Sequence, residues 1–313
     1  MKKFLNILKK VLLVLLIIYV ALQIVPYNKN KIDNPFKIEK GEKPLVMAHG
    51  GGKELNPENT WMSFNYAMDL GVDCLEMDLR MTKDGILITH HNEDIDDYTL
   101  ETGYVKDYTY EELSSFNFGY DFKDLDGNYP YQNLSDNEYN EIKDLVIPAT
   151  MEGIFQKWGD SVLYCIEIKD KGELGKQAAD ELLRLIEEYE VEAVVCVASF
   201  HKEIADYFAS IAPENIVTSF DLTTATDFVM ANYIGYGLFT DFVHEGFQLP
   251  TEKYDIPLDL SYLIYKIHHN EMFVHYWTID DPEEMRELIK KGCDGIITDR
   301  PDLMIQVLEE MGY

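Results

Sequence analysis

Apolar and polar positions divide the chain into three parts. Val11–Val25 (VLLVLLIIYVALQIV) is apolar except for Gln23 and follows Lys2, Lys3, Lys9 and Lys10. Phe4, Leu5, Ile7 and Leu8 extend it toward the roughly 20 residues that cross a bilayer, with Lys9 and Lys10 snorkelling to the interface. This predicts a single N-terminal transmembrane helix within residues 1–25. A cleaved signal peptide is the competing reading, but Tyr19 occupies the first small-residue position of a cleavage site ending at Ala21, so an uncleaved anchor is expected. Lysines ahead of the segment keep the N-terminus cytoplasmic. The expected location is therefore the cell membrane, single-pass, with the remaining chain extracytoplasmic. Residues 26–43 are polar without a clear period and read as a linker.

From residue 44 to 313 short apolar runs alternate with helical patterns. The runs are LVMAH (Leu45–His49), VDCLEMDLR (Val72–Arg80), ILITHH (Ile86–His91), VLYCIEIK (Val162–Lys169), AVVCVASF (Ala193–Phe200), IVTSF (Ile216–Phe220), MFVHYWTI (Met272–Ile279) and GIITD (Gly295–Asp299). Eight strands separated by amphipathic helices such as Lys176–Tyr189 and Pro282–Lys291 predict an α/β fold, a TIM (β/α)8 barrel. Residues 92–146, rich in Asp, Glu and Tyr, break the rhythm and read as an insertion after the third strand. Its Asp126-Gly127 pair predicts a turn rather than a calcium loop, because Phe122 and Asn133 stand where a calcium loop needs its first and last carboxylates.

Charge narrows the function. With 57 acidic against 27 basic side chains, net −30, and no basic patch, nucleic acid is excluded as a partner. A phosphate-bearing ligand needs a local cation. The four cysteines, Cys74, Cys165, Cys196 and Cys293, lack C-x-x-C spacing and lie in or beside apolar runs, so they read as buried thiols.

Strand alternation sends Glu76 and Asp78 to one face and Glu167 and Lys169 to one face. In a barrel both faces can be the interior, where bare carboxylates would protonate unless a cation joined them. Three carboxylates with no Cys predict a hard divalent metal, Ca²⁺ or Mg²⁺. His49 and His91 end the first and third predicted strands, at the rim where barrel active sites lie. A pair of imidazoles there predicts acid–base catalysis. His90 points to the opposite face and reads as packing or surface.

Several motifs resemble those of the glycerophosphodiester phosphodiesterases, a family of phospholipase C-like TIM barrels. The opening A-H-R-G-G and E-N-T correspond to Ala48-His49-Gly50-Gly51-Gly52 and Glu58-Asn59-Thr60. E-x-D and T-K-D-G correspond to Glu76-Met77-Asp78 and Thr82-Lys83-Asp84-Gly85, and H-D to His91-Asn92. E-I-K, W-T-V-N and G-I-I-T-D-R-P follow at Glu167–Lys169, Trp277–Asp280 and Gly295–Pro301. The resemblance runs from about Leu45 to the C-terminus. It implies hydrolysis of a glycerophosphodiester to glycerol 3-phosphate and an alcohol, with Glu76, Asp78 and Glu167 on the metal and His49 and His91 sharing proton duties. Lys169 would contact the phosphate or pair with the metal ligands. Trp277 would wall the leaving-group pocket or fill the core. Glu58 would be a ligand or support one. Gly50 replaces the usual Arg and removes a forked phosphate contact, and Asn92 replaces the usual Asp beside His91. Two other readings stay open at this point: a lysophospholipase D-like enzyme acting on intact lipid, and a non-catalytic barrel.

Overall fold

The computed structural model describes residues 2–25, 34–220, 222–234, 236–237, 244–253 and 255–313. Helix α1 (Lys2–Ile24) is long and apolar enough to cross a membrane, and none of that span is buried in the protein. Of the stretch read as a linker, residues 26–33 lie outside the described residues. The barrel follows as β1 (Leu45–Ala48), α2 (Trp61–Leu70), β2 (Cys74–Met81), β3 (Leu87–Thr89), α3 (Tyr110–Leu113), α4 (Asp136–Ile142), α5 (Met151–Trp158), β4 (Leu163–Ile168), α6 (Gly172–Glu188), β5 (Val195–Ala198), α7 (Lys202–Ile211), β6 (Val217–Thr218), α8 (Leu222–Ile234) and β7 (Gly246–Leu249). A small hairpin of β8 (Glu252–Lys253) and β9 (Ile256–Pro257) precedes α9 (Ser261–His269), β10 (Phe273–Tyr276), α10 (Pro282–Lys291), β11 (Gly295–Thr298) and α11 (Pro301–Met311).

Eight parallel strands form the wall in the order β6-β5-β4-β2-β1-β11-β10-β7. A parallel bridge between Ser219 and Gly246 joins its two ends. The TIM barrel expected from the sequence is therefore present, with one predicted strand lying outside its wall and one wall strand unpredicted. The predicted third strand, β3, runs antiparallel to β2 as a hairpin outside the ring, pairing Leu79–Met81 with Leu87–Thr89. The insertion hangs from this hairpin, between the second and third strands of the wall. The strand that the pattern missed is β7: Gly-Phe-Gln-Leu is short, starts on glycine and stops at Pro250, so it carries almost no periodic signal. Gly246 is required there, since a Cβ would lie 2.2 Å from the Phe273 ring.

Side-chain parity along β2 and β4 matches the expectation. Leu75, Met77, Leu79, Tyr164, Ile166 and Ile168 face the helical layer, whereas Cys74 and Cys165 face inward with Leu45, Met47 and Cys196. All four cysteines are free and buried. Helix limits are set by ordinary caps. Thr60 forms a capping box with Ser63 ahead of α2, and Asp281 accepts from the Glu283 and Glu284 amides ahead of α10. Pro282–Lys291 coincides with the predicted helix.

The end of the barrel where the strands begin is closed by residues ahead of β1. Phe36 is fully buried there, with its ring 6.0 Å from that of Phe273 and its carbonyl 2.9 Å from His275 Nε2. The Ile38 amide donates to Asp294 Oδ1 at 3.0 Å. Loss of a buried phenyl ring costs about 3–5 kcal/mol. Phe36→Ala is accordingly expected to lower the thermal midpoint of the detergent-solubilised chain by several degrees, measured by circular dichroism; an unchanged midpoint would show that the plug contributes nothing.

Candidate active site

One cleft at the C-terminal ends of the strands, about 700 Å³ including its open mouth, gathers most of the predicted residues. His49, Glu76, Asp78, His91, Glu167, Lys169 and Trp277 all line it. Asp78 and Glu167 are register partners across β2 and β4, and Glu76 lies two positions deeper on β2. The inward parity of these strands is what turns separate sequence positions into one cluster. Glu58 is outside the lining set: Lys53 Nζ lies 3.2 Å from one of its oxygens, and the Tyr98 hydroxyl donates to the other at 2.9 Å. His90 is packing, as its position suggested, with its ring against Tyr98 and Phe118 and its Nε2 2.8 Å from the Asp94 carbonyl.

The carboxylates differ in their surroundings. Lys169 Nζ lies 3.4 Å from Asp78 and 3.2 Å from Glu167, so the ion-pair reading of Lys169 is realised. Asp78 also accepts from the Asn59 side-chain amide at 3.1 Å. Burial works against its charge, but Lys169 and the two histidines hold its carboxyl below the usual range. Glu76 has the Gly50 amide at 3.0 Å and His49 Nε2 at 4.0 Å. Burial, reinforced by Asp78, pushes it up to about 8 despite His49. Burial likewise raises Glu167 to about 7 against the pull of Lys169. Among the described residues, the trio with carboxylate oxygens within 4.8 Å of one another is a different one, Glu54, Asp280 and Asp299. Its members are engaged by Arg300, Thr298 and His49.

The two histidines are held differently. His49 Nδ1 lies 2.5 Å from Asp299 Oδ1, which leaves Nε2 toward the cleft. Burial opposes its charge, but Glu76 and Asp299 outweigh that and push the imidazole up to about 10. His91 Nδ1 faces the neutral Asn92 Oδ1 at 3.0 Å. Its carbonyl accepts from Arg80 Nε and Nη2 at 3.3 and 2.9 Å, and Arg80 also pairs with Asp170 at 3.0 Å.

Sequence reasoning gave no role in the site to Asp299, Asn59 or Arg80, placing Asn59 with Thr60 at the start of the following helix. Asp299 and Asn59 lie inside quoted motifs, but they meet their partners only after folding, and Asn59 holds a left-handed φ of 58° to do so. The apolar wall was also missed, apart from Trp277. Phe200 meets Trp277 edge-on at 5.7 Å between centroids, and Phe220 and Gln248 complete that side. Gly50 is buried, with φ +53°, and a Cβ there would stand 3.1 Å from Glu58 Cβ. The backbone is thus shaped for glycine, and a side chain at this position is strained.

Comparison with known proteins identifies the family. The glycerophosphoryl diester phosphodiesterase family matches residues 49–303. A glycerophosphodiester phosphodiesterase from Caldanaerobacter subterraneus subsp. tengcongensis is 30% identical over 272 residues, covering 86% of this chain and 100% of that protein. Among solved structures, a glycerophosphodiester phosphodiesterase from Agrobacterium tumefaciens superposes with a TM-score of 0.62 at 20% identity, covering 84% of this chain and 100% of the other. An Oleispira antarctica phosphodiesterase in complex with the product sn-glycerol-3-phosphate gives 0.66 at 17% identity, covering 85% and 97%. With more than half its length matched and its cleft at the expected end of the barrel, the chain belongs to the glycerophosphoryl diester phosphodiesterase family and is a phosphoric diester hydrolase.

Proposed function

We propose that the chain hydrolyses glycerophosphodiesters to glycerol 3-phosphate and an alcohol, with His49 as the first acid and His91 as the first base. The observation that carries this is two imidazoles of unequal charge support lining one cleft. Asp299 and Glu76 favour an imidazolium at His49. His91 Nδ1–H donates to a neutral amide oxygen, which leaves its Nε2 lone pair to accept a proton. The glycerol hydroxyl next to the phosphate attacks phosphorus and gives its proton to His91. The bond from phosphorus to the departing alcohol breaks, and that oxygen takes the proton from His49. Water then opens the cyclic phosphate as His49 accepts a proton and His91 returns one.

Glu76, Asp78 and Glu167 suit a divalent cation, Ca²⁺ or Mg²⁺. They are oxygen donors facing the cleft, and two are raised above the ordinary carboxylate range by burial among like charges. Such an ion would offset phosphoryl charge in the transition state. Lys169 adds a point charge near the phosphate, standing in part for the Arg that Gly50 replaces. Trp277 and Phe200 would wall the alcohol.

The helix α1 is proposed as an uncleaved anchor with the barrel outside the membrane. Its length, apolarity and preceding lysines support this. The test of activity is to incubate the full chain in detergent with glycerophosphocholine and Mg²⁺ or Ca²⁺ and assay glycerol 3-phosphate. Release that stops on chelation is expected; no turnover of any diester with either ion would overturn the reading.

A further inference from the structure

The last turn of α1 is built into the barrel. Gln23 Nε2 donates to the Asn232 carbonyl at 2.8 Å, and its side-chain oxygen accepts from the Tyr262 hydroxyl at 3.1 Å. The Gln23 and Ile24 carbonyls, left without partners by the end of the helix, meet Lys266 Nζ at 2.6 Å and His269 Nε2 at 2.7 Å. Lys266 is only 1% exposed, so a buried ammonium caps the negative end of the α1 dipole. All these partners belong to the C-terminal half of α8 or to α9; α9 ends beside the start of β10, where the Met272 amide donates to the Ile267 carbonyl, and Phe228 of α8 packs on Phe247 near the start of β7. Phe36 plugs the same end of the barrel.

The catalytic cleft opens at the other end, beyond Ala48, Ile168 and Tyr276. The 13 residues of α8 span about 20 Å at 1.5 Å per residue, and Asn232, which meets Gln23, lies in its last turn. Two surface features agree. Met230, Ile234, Tyr262 and Tyr265 are 45–59% exposed around the docked end of α1, the composition expected at a membrane–water interface. Residues 92–146, which hang from the β2–β3 hairpin on the cleft side, carry fifteen acidic and three basic side chains, a charge that anionic headgroups repel.

We infer that the barrel stands on the membrane with its strand-start end down and its cleft facing the water, so that its substrates are dissolved or polymer-borne diesters and not lysolipids of its own bilayer. This rests on the anchor and diesterase readings above. The test uses the full chain in vesicles of phosphatidylethanolamine and phosphatidylglycerol. Because the native cysteines are buried, Lys40→Cys at the strand-start end and Lys171→Cys at the rim can each carry one fluorophore, and a thermal unfolding transition matching the parent's by circular dichroism shows that each variant folds.

Headgroup-nitroxide lipid is expected to quench the label at 40 and spare that at 171. Lysophosphatidylcholine in the same bilayer is expected to be cleaved at least tenfold more slowly than dissolved glycerophosphocholine. Quenching at 171, or comparable turnover of the bilayer-resident lysolipid, would overturn the inference with the anchor intact. Release of the chain from vesicles by carbonate would instead sink the anchor reading and this inference with it. Absence of turnover of either substrate, with the label at 171 spared, would sink the diesterase reading and leave the orientation supported.

Discussion

His49→Ala is expected to lower kcat for glycerophosphocholine by about 10²–10⁴-fold, the usual size of a lost general acid–base group. The geometry makes the loss specific. Asp299 holds Nδ1 at 2.5 Å and supports the charged imidazole, so in the proposed mechanism the side chain donates its proton. A leaving alcohol that needs no proton should then largely escape the defect. The check is a comparison of glycerophosphocholine with a glycerophosphodiester of p-nitrophenol, following release of the alcohol. Equal losses on both substrates would show that His49 does not protonate the leaving group.

Glu76→Gln is expected to separate stability from activity. In the metal-free protein burial and Asp78 raise the Glu76 carboxyl from 4.5 to about 8, so the folded state holds a proton that the unfolded state has released. Stability from this group is present below about 4.5 and is lost as pH rises toward 8. Gln has no proton to lose. Without metal, the variant should therefore melt higher than the parent at pH 8 and show a flatter dependence of Tm on pH. Adding Mg²⁺ or Ca²⁺ at 100 times Kd should stabilise the parent by about 2.7 kcal/mol, should stabilise the variant far less, and should restore activity only in the parent. A variant that gains as much as the parent from either ion would remove Glu76 from the metal site.

The fold class was legible because its signal is repetitive. Seven of the wall strands carried apolar runs with the right parity, and their order brought Glu76, Asp78 and Glu167 to one interior. What was hidden depended on three-dimensional neighbours. β7 is too short for a period, and β3 looks like a wall strand because direction leaves no mark on a run of Leu, Ile and Thr. Lys169 could be placed on the correct face of β4, but only the fold shows its ammonium between Asp78 and Glu167. Asp299 closes the barrel's last apolar run and His49 its first, a separation of 250 residues that the parallel pairing of β1 with β11 cancels.

The β2–β3 hairpin gives the two imidazoles unequal mechanical footing. His49 follows β1, which is gripped on both sides by β2 and β11. His91 follows β3, which pairs with β2 on one side and on the other meets the 149–150 segment through the Ile88–Thr150 bridge and the Thr89–Ala149 hydrogen bond, and Arg80 pins the His91 carbonyl. Under the roles proposed above, changes to the hairpin's turn or to the Arg80 contact would shift the base, His91, while the acid, His49, keeps its place after β1. Rates for substrates that differ in nucleophile or in leaving group would then respond separately to changes in the hairpin turn and to changes around His49.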